Sequence, residues 1–422
     1  MVSTTTAPHS DGAGPPAPAP RGGWPAVIAV TLGIFCVVTT EILPIGLLTS
    51  IGAAFAVSDG TAGLTMTLPG LLAAVAAPVV TVATARADRR RTLGALLLLL
   101  ALADLLAAAA PQYWLVLVSR VAVGIVIGGF WSIGAALAER LVPPASVGRA
   151  TAVVFSAVPL GSVLGVPAGT FLGELAGWRT TFAVMGVLTA ATLVMLWLTL
   201  PPLPPLQVTR LRVLRSVLRR TGTRFALLLT FLVVLAHFGA YTYVTPFLEQ
   251  VTRAGSGSVT AFLLLFGAAG IAGNFAGGAA LTRWPRATFG LAAALIAMAT
   301  VLLPPLGHRQ GGAVALLLVW GAAYGAVPVA SQTFFRKAAP HAPEAATVLF
   351  TTAFQATIAL GALLGGVTVD RTSPSTVMVF GGATAALAVV AAAVHRARRP
   401  TRGDRGQSET TPLPVRRCDR RL

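Results

Sequence analysis

The residues best able to do chemistry in this sequence are few, and they lie in unusual places. Glu41, Asp104 and Arg120 each interrupt a long apolar run, and His237 interrupts another. Carboxylates and imidazoles exchange protons in or near the physiological range, and arginine supplies a fixed positive charge. The pattern fits neither hydrolysis nor metal binding. There is no HExxH, and the five histidines are scattered. The two cysteines, Cys36 and Cys418, make neither a CxxC nor a disulfide framework. No metal, no cofactor and no enzymatic activity are expected; proton exchange among apolar surroundings is.

The elements that hold these residues must be membrane helices. Of 422 residues, 55% are hydrophobic and 10% charged, with 31 Lys+Arg against 13 Asp+Glu and a net charge of +18. A soluble domain is about 25% charged, so a soluble enzyme is excluded, and the hydrophobicity excludes disorder. Excess positive charge first suggests a nucleic-acid partner. Here it lies in short clusters between apolar runs, so no nucleic acid is expected. About 20 apolar residues cross a bilayer. Runs of that length predict twelve spans, near 24–48, 62–83, 93–110, 114–138, 150–172, 181–200, 225–247, 259–281, 288–306, 312–334, 346–368 and 375–395.

The arginines set the orientation. With both termini cytoplasmic, only Arg179, Arg253, Arg309 and Arg371 fall in outside loops, while the inner segments collect nearly all the others. The positive-inside rule selects that topology in a bacterial plasma membrane. The predicted organisation is a disordered cytoplasmic N-terminus 1–23, a six-helix bundle 24–200, a basic linker 201–223, a second bundle 224–395 and a basic tail 396–422. Anionic lipid is the expected neighbour of the tail.

Landmarks repeat across the linker. Glu41-x-x-Pro44 ends span one and Tyr243-x-x-Pro246 ends span seven. Arg89 follows span two and Arg283 follows span eight. Gly161-x-x-x-Gly165 in span five matches Gly361-x-x-x-Gly365 in span eleven. Such a register indicates parallel repeats.

With these features the sequence resembles the major facilitator superfamily. Ala85-Arg86-Ala87-Asp88-Arg89-Arg90-Arg91 is similar to the superfamily's loop between helices two and three, with Thr84 where Gly is usual. Arg120-x-x-x-Gly124 resembles a motif of drug–proton antiporters. Gly161, Gly165, Pro167 and Gly169 resemble their Gly/Pro antiporter motif with the proline displaced. Thr40 to Leu48 and Gly177-Trp178-Arg179-Thr180-Thr181-Phe182 look most like the arabinose and sugar efflux permeases. The resemblance implies an all-α membrane protein of twelve helices in two pseudo-symmetric six-helix bundles. It also implies that spans one, four, seven and ten line a cavity, and that the loop holding Asp88, Arg89 and Arg91 acts as a gate, with Glu139 as a partner for its arginines. The competing view of that loop is an orientation signal alone.

Glu41, Asp104 and Arg120 each lie roughly 9–10 Å below the outer surface at about 1.5 Å per residue. Burying a charge at a helix centre costs roughly 2.5–3.5 kcal/mol, which a partner or a wet cavity must offset. Arg120 is expected to pair with one acid while the other, preferentially Glu41, exchanges a proton. A static salt bridge that fixes helix packing is the alternative. His237 lies near the midplane and shares a face with Tyr241. Phe130, Trp131, Tyr241, Tyr243, Tyr324, Gln332 and Gln355 are the candidate cavity residues, although aromatic residues in membrane helices commonly serve packing alone.

These features predict a proton-driven exporter of a small organic molecule such as a drug, sugar or secondary metabolite. The proton gradient is the energy source and the expected state is a monomer. An uptake symporter on the same fold, or a non-transporting sensor or scaffold, are the alternatives.

Overall fold

The computed structural model describes residues 23–84, 86–134, 137–204, 217–339 and 343–397. Among the described residues the secondary structure is helical, and twelve helices are long and apolar enough to cross a membrane. In the first half, spans one to six are Gly23–Phe55, Asp59–Ala83, Arg89–Ala109, Tyr113–Trp131, Pro144–Ala176 and Trp178–Thr199. In the second half, spans seven to twelve are Thr221–Gln250, Ser256–Leu281, Pro285–Leu306, Gln310–Ala338, Ala346–Arg371 and Pro374–Val394. Each corresponds to an apolar run in the sequence. Several run past it, because a helix stops at a capping signal and not where hydropathy falls.

The caps are explicit. Asp88 Oδ1 accepts from the backbone N–H groups of Arg90 at 2.8 Å and Arg91 at 3.3 Å, which starts span three. Ser58 Oγ accepts from Thr61 N at 3.1 Å and starts span two. Spans five and six join at a single residue, Gly177, whose φ of 84° is open to glycine at little cost.

The polarity of the molecule is that of a membrane protein. Leu198, Phe275, Leu175 and Val187 are more than half exposed, whereas Glu41, Asp104, Arg120, His237 and Gln355 are buried. Apolar side chains outside and charges inside suit hydrocarbon as the solvent.

Two cores underlie two bundles. One apolar cluster draws on residues between Ala26 and Leu203. The other draws on residues between Leu229 and Ala388, with Ile45, Met66 and Val166 added from the first half. The halves meet where span two crosses span eleven and span five crosses span eight. At Gly70 an added Cβ would come within 2.7 Å of the Gln355 carbonyl, and at Gly267 within 2.9 Å of Val163 Cα. The expected linker and both terminal segments lie largely outside the described residues.

Candidate functional site

The buried charges converge on one turn of span one. Arg120 is fully buried, and its Nη2 donates to the backbone carbonyl of Thr40 at 2.8 Å. The Thr40 hydroxyl donates to Asp104 Oδ2 at 3.0 Å. The next residue, Glu41, faces the other half, where Gln355 Nε2 donates to its Oε1 at 2.9 Å. Spans one, three, four and eleven thus meet around Thr40 and Glu41.

One expectation needs correcting. Arg120 is not hydrogen-bonded to either acid. Its Nε and Nη1 are buried without a partner, as is Asp104 Oδ1. Thr40 stands between Arg120 and Asp104 and binds each through a different group. The guanidinium still acts on both carboxylates electrostatically, and it lies 5.7 Å from the Phe182 ring centroid.

His237 organises a second cluster inside the second half. Its ring stacks on Tyr324, with centroids 3.3 Å apart and planes 6° apart. Tyr241 stacks with it at 5.0 Å and Phe266 at 6.2 Å. Trp320 meets it edge-on at 5.5 Å, and the indole N–H donates to His237 Nδ1 at 3.1 Å. An accepting Nδ1 carries no proton, so the imidazole is neutral and presents N–H at Nε2.

Other sequence candidates lie elsewhere. Tyr243 is not in the aromatic cluster. Its hydroxyl donates to the Ala362 carbonyl at 2.7 Å, and its ring wedges among Leu48, Ala62, Val369 and Val377. The physical reason is helical spacing: Tyr243 is two residues beyond Tyr241 and so points away from its face, at a point where span seven breaks between Tyr241 and Val244. Phe130 is buried against Gly33, where an added Cβ would come within 2.6 Å of the ring, so it is first-half core. Trp131 packs half-buried on the same core, and Gln332 is half-buried in span ten. Gly161, Gly165 and Gly169 press on Val38, Thr39 and Leu43 of span one. Pro167 is buried in the same helix. This stripe therefore packs span five on span one within a half.

The halves are tied together at the end of the molecule opposite Gly23 and Ala397. Asp370 Oδ2 accepts from Ser58 Oγ at 2.7 Å and Oδ1 from Gly60 N at 2.8 Å. Gln250 Nε2 donates to Asp59 Oδ2 at 3.1 Å, Thr49 Oγ1 to Glu249 Oε1 at 3.2 Å, and Thr260 Oγ1 to Glu174 Oε1 at 3.0 Å. Each bond crosses from one half to the other. Four acids, Asp59, Glu174, Glu249 and Asp370, take part.

At the opposite end the loop around Asp88 is occupied within the first half. Asp88 is a helix cap, as described above. Arg89 N donates to Leu203 O at 3.0 Å and its Nη1 to Thr84 O at 3.2 Å. Arg90 binds the Trp197 carbonyl and lies over that ring at 4.8 Å. Arg91 lies exposed beside Asp88, Arg90, Trp197 and Pro202. The side chain of Glu139 lies outside the described residues.

Trp320 and Phe266 were not singled out from the sequence. Trp320 stands one helical turn before Tyr324 and so shares its face, a signal that could have found it. Nothing local marks Phe266.

The arrangement defines a class before it defines a family. Two six-helix halves meeting at a buried polar layer, and tied across one end, are the build of a membrane carrier. The particular family follows from the sequence pattern of the Major Facilitator Superfamily, which matches residues 30–356; the chain belongs to that superfamily of transporters. It is similar to the "Purine ribonucleoside efflux pump NepI" of Escherichia coli (strain K12), at 30% identity over 365 residues, covering 86% of this chain and 91% of that protein. It is also similar to the "Transcription regulatory protein OpdE" of Pseudomonas aeruginosa, at 33% identity over 363 residues, covering 84% and 89%. Two solved structures share the fold. A bacterial homolog of the human lysosomal transporter Spinster gives a TM-score of 0.69 at 16% identity, covering 88% of this chain and 95% of that one. The human organic anion transporter MFSD10 gives 0.66 at 19% identity, covering 87% and 99%.

Proposed function

We propose that this transporter exports a small organic molecule, driven by protons that bind at Glu41. The observation that carries the reading is the bond between Glu41 and Gln355, a buried carboxylate held at the junction of the two halves. A group so placed changes its surroundings whenever the halves rock, so its protonation can follow the conformation. Asp104 and Arg120 hold the preceding residue, Thr40.

The substrate we favour is a planar heteroaromatic compound of nucleoside size. Stacked rings around His237 suit a flat π-system, and an imidazole N–H suits a ring acceptor. The pump similar to this chain that is described for purine ribonucleosides supports the choice. The moving units are residues 24–200 and 224–395, joined by the basic linker 201–223. Both termini lie in the cytoplasm and the protein acts as a monomer, with anionic lipid at its basic inner face. In that orientation the tied end faces outward.

The test is transport in inside-out vesicles under an imposed proton gradient, with purine ribonucleosides, sugars and drugs as the panel and Glu41→Gln as the control. Gradient-driven accumulation that is lost in the variant is the expected result. Accumulation that survives in the variant removes Glu41 from the coupling. A relative described as a transcription regulatory protein favours a second reading, a non-transporting membrane sensor. Absence of movement for every compound would select it.

A further inference from the structure

Span one is helical without interruption from Gly23 to Phe55, although Pro44 lies inside it. Proline has no N–H, so the carbonyl four residues earlier loses its partner within the helix. That carbonyl belongs to Thr40. Arg120 of span four supplies the missing donor, with Nη2 at 2.8 Å from Thr40 O. The side chain of the same residue is held from span three by Asp104. Thr40 is therefore gripped at the turn that proline would loosen, one residue before Glu41.

The second half offers a natural comparison. Thr242-Tyr243-x-x-Pro246 repeats Thr40-Glu41-x-x-Pro44. Span ten, the counterpart of span four, carries its one arginine, Arg336, in its last turn. There the helix breaks, ending at Tyr241 and resuming at Val244.

We propose that Arg120 is a positioning residue, replacing the hydrogen bond that Pro44 removes and so fixing the turn that aims Glu41 at Gln355. Its effect on transport rests on the reading of Glu41 given above; the clamp itself does not. Two other roles make different demands. As a mere countercharge for Asp104 and Glu41, Arg120 would matter through its charge and not through Thr40 O. As a proton carrier, it would set the pH profile directly.

The experiment is a cycle between Arg120→Met and Pro44→Ala in the full-length protein, read by thermal transition in detergent and by proton-driven uptake into vesicles across a range of pH. Pro44→Ala restores an N–H four residues after Thr40. Loss of a bond to a charged group predicts a fall in transport of roughly tenfold or more in Arg120→Met. The double variant is expected to regain a large part of both readouts, with a pH profile of the wild-type shape, and Arg120→Lys is expected to retain both in part. No regain in the double variant, together with rescue of Arg120→Met by Asp104→Asn, would establish the countercharge role and overturn the clamp. A displaced pH profile in a double variant of restored thermal stability would overturn it in favour of proton carriage. If Arg120→Met does not fold, the same cycle is run with Arg120→Gln, whose amide can still donate but reaches less far; an unchanged deficit on adding Pro44→Ala counts against the clamp. Glu41→Gln keeps the two questions apart: uncoupling there tests the carboxylate, while the stability cycle tests the arginine.

Discussion

The amide of Gln355 donates to the carboxylate of Glu41 across the boundary between the halves, while its own Oε1 is buried without a partner. An amide offers both a donor and an acceptor. It can give a hydrogen bond to an ionised Glu41, and after a flip accept one from a protonated Glu41. Gln355 can therefore hold the halves together in either protonation state. Replacing it by Leu removes a bond to a charged group worth about 1.5–3 kcal/mol. Transport is expected to fall by roughly tenfold to a hundredfold on that basis. Gln355→Glu, which places two carboxylates face to face, is expected to be as damaging. Vesicle uptake at matched expression measures both, and wild-type rates in Gln355→Leu would remove this contact from the mechanism.

At the tied end, Asp370 accepts two bonds from the loop of the other half. Asp370→Ala leaves Ser58 and Gly60 without that partner. Hydrogen bonds to a charged group are individually worth about 1.5–3 kcal/mol when shielded, and less where water competes, as it does here. A shift of several-fold toward opening at this end is expected. Distances between spin labels placed on spans two and eleven should lengthen in the variant. An unchanged distribution would show that the remaining bonds across the halves and the packing around Tyr243 close this end without Asp370.

Trp320 and His237 allow a subtractive test. Trp320→Phe keeps most of the ring and deletes the N–H that fixes His237 Nδ1. The loss should cost about 0.5–1.5 kcal/mol of stability. Trp320→Ala, which empties a fully buried site, should cost about 3–5 kcal/mol. Chemical denaturation in mild detergent separates the two. No loss in Trp320→Phe would mean that the hydrogen bond is irrelevant, and equal losses would mean that the site collapses when emptied and the N–H carries the whole effect.

Two glycines of span eight make a matched pair. An added Cβ at Gly273 would fall 1.8 Å from the Ala322 carbonyl oxygen, whereas at Gly278 nothing lies within 4 Å. Gly273→Ala must move span ten and is expected to cost about 1–3 kcal/mol. Gly278→Ala is expected to be neutral. Relative yield of folded protein after heating measures the difference, and equal yields would show that spans eight and ten yield at no cost.

Length and hydropathy determined the twelve spans, because lipid leaves an isolated segment no alternative to a helix. Charge placement and the repeated landmarks likewise determined the expected six-plus-six organisation. Glu41, Asp104 and Arg120 were legible as exceptional because a charge among apolar residues is expensive wherever it sits. Their partners were not legible. Depth along a helix is additive in sequence, but azimuth and crossing depend on neighbours that sequence spacing does not specify. So Tyr243 found its partner at the Ala362 carbonyl while Tyr241 stayed with His237, and Phe130 became core against Gly33. The expected salt bridge became a grip on Thr40 for the same reason: a proline in one helix left a carbonyl bare, and only the packing of another brought an arginine within reach of it.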